Sequence, residues 1–211
     1  MNVLCVIGWS KSGKTALMEG LIKGFKGRGL RVAALKHHGH PGDVFPEGKD
    51  TTRFLKAGAD LAVLFGQGGL ELSRPLLDPD PQGLLPYLWG YDLVLVEGLK
   101  GSNYPKVEVY NGSPEGLLYQ KVKGVLALVS DQVEVQGIPT FKTHEVDALV
   151  DYLMEKLPLK RQRLTLVADG REVALNAFVE RMLYGLVKAM VAPLKGCEDV
   201  KEVVLRWERD L

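Results

Sequence analysis

Cysteine is scarce: the 211-residue chain has two, Cys5 and Cys197, near opposite ends. A disulfide framework is therefore not what stabilises it. Cys5, inside an apolar run, reads as a buried free thiol of a protein from a reducing compartment. An excess of charge of one sign is lacking too. The 27 Lys and Arg against 26 Asp and Glu leave a formal net charge of +1, so no general attraction for nucleic acid or an anionic membrane is expected. No apolar stretch approaches the roughly 20 residues needed to span a bilayer. The opening run Met1–Ile7 is too short for the core of a signal peptide. A cytoplasmic protein without nucleic-acid or membrane partners is the expectation. Internal repeats and low-complexity segments are missing as well. What is present is 46% hydrophobic and 25% charged residues, enough for a sizeable core in one ordinary domain carrying a small appendage.

Apolar runs alternate with helical patterns through the first three quarters of the chain. Val3–Ile7, Arg31–Leu35, Leu61–Phe65, Tyr91–Val96 and Val125–Ser130 read as strands. Leu17, Leu21, Ile22 and Phe25 recur at helical spacing within Thr15–Gly27. Asp50 reads as an N-cap for a helix over Thr51–Gly58, and Asp147–Leu157 as the last helix of this region. Continuous β-branched runs suit strands buried on both faces of a parallel sheet. The pattern predicts an α/β fold: a doubly wound, mostly parallel sheet over residues 1–157. Lys106–Tyr110 (KVEVY) alternates apolar and polar residues and precedes Asn111-Gly112, so it reads as an edge or antiparallel strand. Beyond Pro158 the pattern changes. Asp169-Gly170 between two short apolar runs signals a hairpin, Asn176 reads as a cap for a helix over Ala177–Met190, and Val200–Trp207 as a closing strand. Residues 160–211 are thus expected to form a small α+β module.

Gly8-Trp9-Ser10-Lys11-Ser12-Gly13-Lys14-Thr15 matches G-x-x-x-x-G-K-[ST], with a strand before it and a helix after it. Its glycines let successive N–H groups point at phosphate oxygens, and the helix N-terminus that follows favours an anion. Lys14 is expected to reach the β- and γ-phosphates, and the Thr15 hydroxyl to bind Mg2+. Lys11 reads equally as a charge beside the phosphates or as a solvated loop residue.

Asp92–Gly98 is an apolar strand ending in an acid, Glu97. Ligands of parallel sheets bind at the carboxyl ends of strands, which makes Glu97 a candidate for Mg2+, directly or through water. Lys36-His37-His38-Gly39-His40-Pro41-Gly42-Asp43 also starts at a strand's carboxyl end and holds three of the chain's four histidines. It reads as a loop closing on phosphates, with Asp43 at the metal and Lys36 and His37 at the anion, as a transition-metal site, or as a plain solvated loop. Arg53 has the chemistry to hold an anion bidentately or to pair with a surface acid. Asp131, after the fifth strand, suits the N1–H and amine of guanine, or is a plain loop acid; no N-K-x-D motif accompanies it.

Taken together, G-W-S-K-S-G-K-T, A-L-K-H-H-G-H…D, P-E-G-K-D-T-T-R-F-L-K-A-G-A, D-L-V-L-V-E-G-L-K and Y-P-K-V-E-V resemble, in order and spacing, the family of molybdopterin-guanine dinucleotide biosynthesis protein B (MobB) over residues 1–155. The resemblance implies a P-loop protein that binds GTP with Mg2+, hydrolyses it weakly, and partners a MobA-like guanylyltransferase, which joins GMP to molybdopterin. It also implies a homodimer formed by strand pairing, for which KVEVY is the candidate edge. Gly8, Ser12, Gly13, Lys14 and Thr15 would be nucleotide residues, and Asp43 and Glu97 metal or switch residues. Lys36, His37, Asp50, Arg53 and Lys100 fall in the other family motifs. Gly39 between His38 and His40, and Leu99 in place of an aromatic, depart from the usual pattern. A small-molecule kinase or ATP-dependent ligase of the dethiobiotin synthetase type, which also places V-E-G after a strand, is the alternative.

Overall fold

The computed structural model describes residues 2–39, 44–76, 80–88, 90–159, 164, 166–168, 171–197, 200 and 203–205. The chain divides into two compact units, Met1–Lys160 and Arg161–Leu211. In the first unit β1 (Val3–Ile7) leads through the glycine-rich loop into α1 (Lys14–Gly27). Then come β2 (Val32–Lys36), α2 (Asp50–Lys56), β3 (Ala62–Gly66), β4 (Gly69–Ser73) and a 3-10 turn (Pro81–Leu84) continuing as α3 (Leu85–Leu88). The unit closes with β5 (Leu93–Glu97), β6 (Lys106–Val109), β7 (Val125–Val129), β8 (Thr140–Phe141) and α4 (Val146–Lys156).

Six of these strands form one sheet in the order β2-β5-β1-β6-β7-β8, and every pairing in it is parallel. Laterally paired residues share a face of a sheet. On one face Leu4, Val6, Leu93, Leu95, Val107 and Val109 pack against Leu17, Leu21 and Phe25 of α1 and Leu149 and Leu153 of α4. The two helices approach closely at glycines: a Cβ on Gly24 would lie 2.7 Å from Val150 Cγ2. On the opposite face Val3, Cys5, Ile7, Val94 and Val96 are covered by Leu88 of α3 and by Leu99, Tyr104, Leu118 and Val122 from loops. The sheet is doubly covered as expected, but loops stand where one face would carry long helices.

Two strand readings are corrected. KVEVY is not an edge: β6 lies between β1 and β7 and is parallel to both. Its alternation does not mark a solvent face, because Lys106 and Glu108 are themselves buried. The run Leu61–Phe65 does form a strand, but β3 pairs antiparallel with β4 in a separate hairpin. The Gln67-Gly68 turn and the second arm went unrecognised. A smaller correction concerns α2: Lys49 occupies the N-cap, without a side-chain cap bond, and Asp50 sits in the first turn.

In the second unit β9 (Leu166–Ala168) pairs antiparallel with β10 (Arg171–Val173), and the Asp169-Gly170 turn lies outside the described residues. α5 (Ala177–Val191) follows, and Asn176 Oδ1 accepts hydrogen bonds from the N–H groups of Phe178 and Val179. This is the cap its position implied. The described residues of 200–207 form no strand, and the others of that stretch lie outside the description.

Leu153 is fully buried between α4 and the sheet. Leu153→Ala is expected to lower stability by about 2–5 kcal/mol, read from equilibrium denaturant unfolding.

Candidate functional site

The loop between β1 and α1 owes its shape to its glycines. Gly8 has φ 155°, and a Cβ there would lie 2.5 Å from both Val109 O and Ser12 Oγ. The loop therefore starts flush against the end of β6. Gly13, at φ 97°, is the left-handed N-cap of α1. Lys11 also takes positive φ, 59°, and its carbonyl accepts a bond from Asn111 Nδ2 at 3.0 Å. Lys11 is thus a tight-turn residue with an exposed side chain. Ser10 is exposed as well, whereas Ser12 is buried and its Oγ has no partner among the described residues.

Lys14 opens α1, and its Nζ donates to Trp9 O at 2.6 Å. Burial pushes its ammonium below the usual lysine range. Glu97 opposes that shift, and Lys100 and Lys36 reinforce it. Thr15 Oγ1 donates to Glu97 Oε2 at 3.0 Å, while Lys36 Nζ lies 3.5 Å from Glu97 Oε1. Register explains this convergence, since Glu97 is aligned with Val6 on β1 and with Lys36 on β2. The carboxyl ends of three neighbouring strands thereby meet the start of α1.

A hard cation fits this pair. Two oxygens 3.0 Å apart have the spacing of adjacent ligands in an octahedron with bonds of about 2.1 Å, the Mg2+ geometry. Thr15 and Glu97 would hold the ion, leaving other positions to phosphate and water. Among the described residues no three His, Cys, Asp or Glu side chains gather as a metal cluster.

Trp9 is gripped from two sides. Its Nε1 donates to Gly116 O at 2.7 Å, and Lys100 Nζ sits 4.0 Å from its ring centroid, a cation–π contact. The structure therefore brings together Gly8–Thr15, Lys36, Glu97 and Lys100. The remaining candidates sit otherwise. His37 joins through its main chain, its N–H donating to Glu97 O at 2.9 Å. Arg53 pairs with Asp50, 3.3 Å away within α2. Asp131 accepts from Thr143 N at 2.9 Å and Thr143 Oγ1 at 2.6 Å, which hold its carboxyl below the usual range. It braces the approach to α4. Asp43 and His40 lie outside the described residues. Sequence reasoning missed the roles of Asn111, Gly116, Lys106 and Glu108; the KVEV alternation was the available signal for the last two, and it pointed to solvent.

A parallel sheet whose central strand runs through a G-x-x-x-x-G-K-T loop into a helix is the architecture of the P-loop NTPase class. The profile of the family "Molybdopterin guanine dinucleotide synthesis protein B" (MobB) matches residues 3–131. The chain is 33% identical to the "Probable molybdopterin-guanine dinucleotide biosynthesis adapter protein" of Bacillus subtilis, over 74% of this chain and 92% of that one. It is 30% identical to the "Molybdopterin-guanine dinucleotide biosynthesis adapter protein" of Escherichia coli, over 72% of this chain and 91% of that one. The crystal structure of Bacillus subtilis MobB superposes with a TM-score of 0.60 at 32% identity, covering 74% of this chain and 98% of that one. The chain belongs to the MobB family. Among the described residues, no helix is long and apolar enough to cross a membrane.

Gly8→Ala is expected to destabilise the fold by about 1–3 kcal/mol, measured by denaturant unfolding, because the new methyl meets the rigid Val109 carbonyl. A fully tolerated substitution would contradict the geometry of this loop.

Proposed function

We propose that this chain is a cytoplasmic GTP-binding adapter of molybdopterin guanine dinucleotide biosynthesis, which presents its nucleotide-bound state to a MobA-like guanylyltransferase acting on molybdopterin. The observation that carries this reading is the junction of Lys14, Thr15 and Glu97 at the mouth of the glycine-rich loop. The loop amides and the α1 N-terminus suit an anion. Lys14 Nζ donates to a carbonyl of its own loop, a position from which a β- or γ-phosphate oxygen takes over as acceptor. Thr15 and Glu97 would hold Mg2+, which would supply charge neutralisation for the phosphates. Lys36 beside Glu97 keeps that carboxylate in place.

Hydrolysis is expected to be slow. Among the described residues no arginine or glutamine side chain contacts the loop, so the cations at the site are Lys14, Lys36 and Lys100. Slow turnover suits an adapter better than a catalyst.

The homodimer is assigned to the β3–β4 hairpin rather than to KVEVY. Phe65 opposes Leu70, and Val63 opposes Leu72, so these four side chains share one face. Phe65 is 81% and Leu70 71% exposed. A lone two-stranded hairpin is marginal in water, and an apolar face of this kind suits the same face of a second copy.

Lys14→Ala is expected to weaken binding of Mg2+ and GTP roughly 10- to 100-fold by calorimetric titration, the loss of a charge-assisted bond. Glu97→Gln should abolish the gain in affinity that Mg2+ brings, and ATP should compete poorly with GTP. Unchanged affinity in both variants would overturn the site. Separately, Phe65→Glu should sediment as a monomer where the parent is a dimer; a monomeric parent at micromolar concentration would remove the hairpin's assigned role.

A further inference from the structure

Lys106 and Glu108 are charged residues buried completely, both 0% exposed. They stand two positions apart on β6, aligned with Cys5 and Ile7 of β1, and so project to the face covered by loops. They do not pair with each other. Lys106 Nζ donates to Ser102 O at 2.6 Å and to Tyr104 O at 2.7 Å. Glu108 accepts from Leu118 N at 2.6 Å through one oxygen and from Tyr119 N at 2.7 Å through the other. Each charge is committed to the main chain of a different loop. Burying a charge costs several kcal/mol, and apolar residues of similar volume often stabilise a core at least as well. Core packing alone does not explain two such residues.

Both loops end on Trp9. The 98–105 loop carries Lys100, whose ammonium lies over the indole ring. The 110–122 loop supplies Gly116 O to the indole N–H and Asn111 to Lys11 O. Trp9 O in turn holds Lys14 Nζ. A chain of short contacts therefore runs from the buried carboxylate through the 110–122 loop to Trp9 and on to the phosphate-binding lysine. A second runs from the buried ammonium through Lys100 to the same ring.

We propose that Lys106 and Glu108 are positioning residues of the phosphate loop: each fixes one covering loop, and the two loops clamp Trp9 and with it the resting place of Lys14. The consequence for nucleotide rests on the function proposed above, whereas the clamp itself does not. Glu108→Gln keeps the size of the side chain but turns an amide NH2 toward a main-chain N–H, breaking one of two bonds. Glu108→Asp, too short to serve both N–H groups, and Lys106→Met are the companion variants.

The test uses the full chain, labelled with 15N. The chain has three tryptophans, Trp9, Trp89 and Trp207, and Trp9→Phe identifies the indole resonance of Trp9. In nucleotide-free protein, Glu108→Gln and Lys106→Met should shift that resonance, and both should weaken binding of Mg2+ and GTP roughly 2- to 30-fold. Leu153→Ala, destabilised on the opposite face of the sheet, should leave resonance and affinity at their parental values. Glu108→Asp carries the same expectation should Glu108→Gln not fold. Folded variants with a parental Trp9 resonance and parental affinity would overturn the proposal, as would Leu153→Ala changing both equally. A parent chain that binds no GTP would defeat the functional reading, and the indole resonance would still decide the clamp.

Discussion

The alignment of Glu97 with Val6 in the parallel pairing of β5 and β1 is the constraint on which the rest of the site depends. It sets the acid at the end of its strand level with the entry to α1, where the Thr15 hydroxyl lies 3.0 Å away. The same row continues to Lys36 on β2, so one register fixes the cation, the acid and the hydroxyl together. A slip of one residue would send Glu97 to the other face. That register is held by Val94, Leu95 and Val96, whose side chains alternate between the two cores and are buried in both. Packing on both faces thus specifies the chemistry at the strand ends.

The two faces of the sheet contribute differently. Beneath α1 and α4 the contacts are apolar, with glycines setting the closeness of the helices and Arg28 of α1's C-cap meeting Asp151 at 2.6 Å. On the other side the cover is loop, and a loop over a core must satisfy main-chain groups that a helix would satisfy itself. Lys106 and Glu108 meet part of that need. Burial raises the Glu108 carboxyl above its usual range, against the pull of the two N–H groups, and lowers the Lys106 ammonium below its own. Such groups are costly to hold in charged form, which is offset by the main-chain bonds they make.

Much of the fold was legible in the sequence because continuous apolar runs and helical spacing are local signals. β1, β5 and β7 fall within a residue or two of the expected runs, and α1 and α4 do as well. The phosphate loop was legible because its glycines are required by its backbone angles. KVEVY misled because alternation reports polarity and not exposure: its polar positions find their partners in loops 2 to 11 residues away in sequence, which no periodicity encodes. The hairpin misled for a related reason. β3 reads as a core strand from its composition, yet the Gln67-Gly68 turn folds it onto β4 and leaves Phe65 in solvent. Asp131 carried suitable chemistry but found a nearer partner in Thr143, a tertiary contact, whereas Arg53 took the other course its sequence allowed and pairs with Asp50 one helical turn away.

Whether a divalent ion sits between Thr15 and a nucleotide's phosphates can be measured directly. Electron–nuclear double resonance of Mn2+ substituted for Mg2+, in the presence of GTP, reports which nuclei neighbour the ion. Coupling to the nucleotide's 31P nuclei without coupling to imidazole 14N is the predicted spectrum. Imidazole 14N coupling from the histidine-rich segment after β2, or no 31P coupling at saturating GTP, would contradict a site built on Thr15 and Glu97.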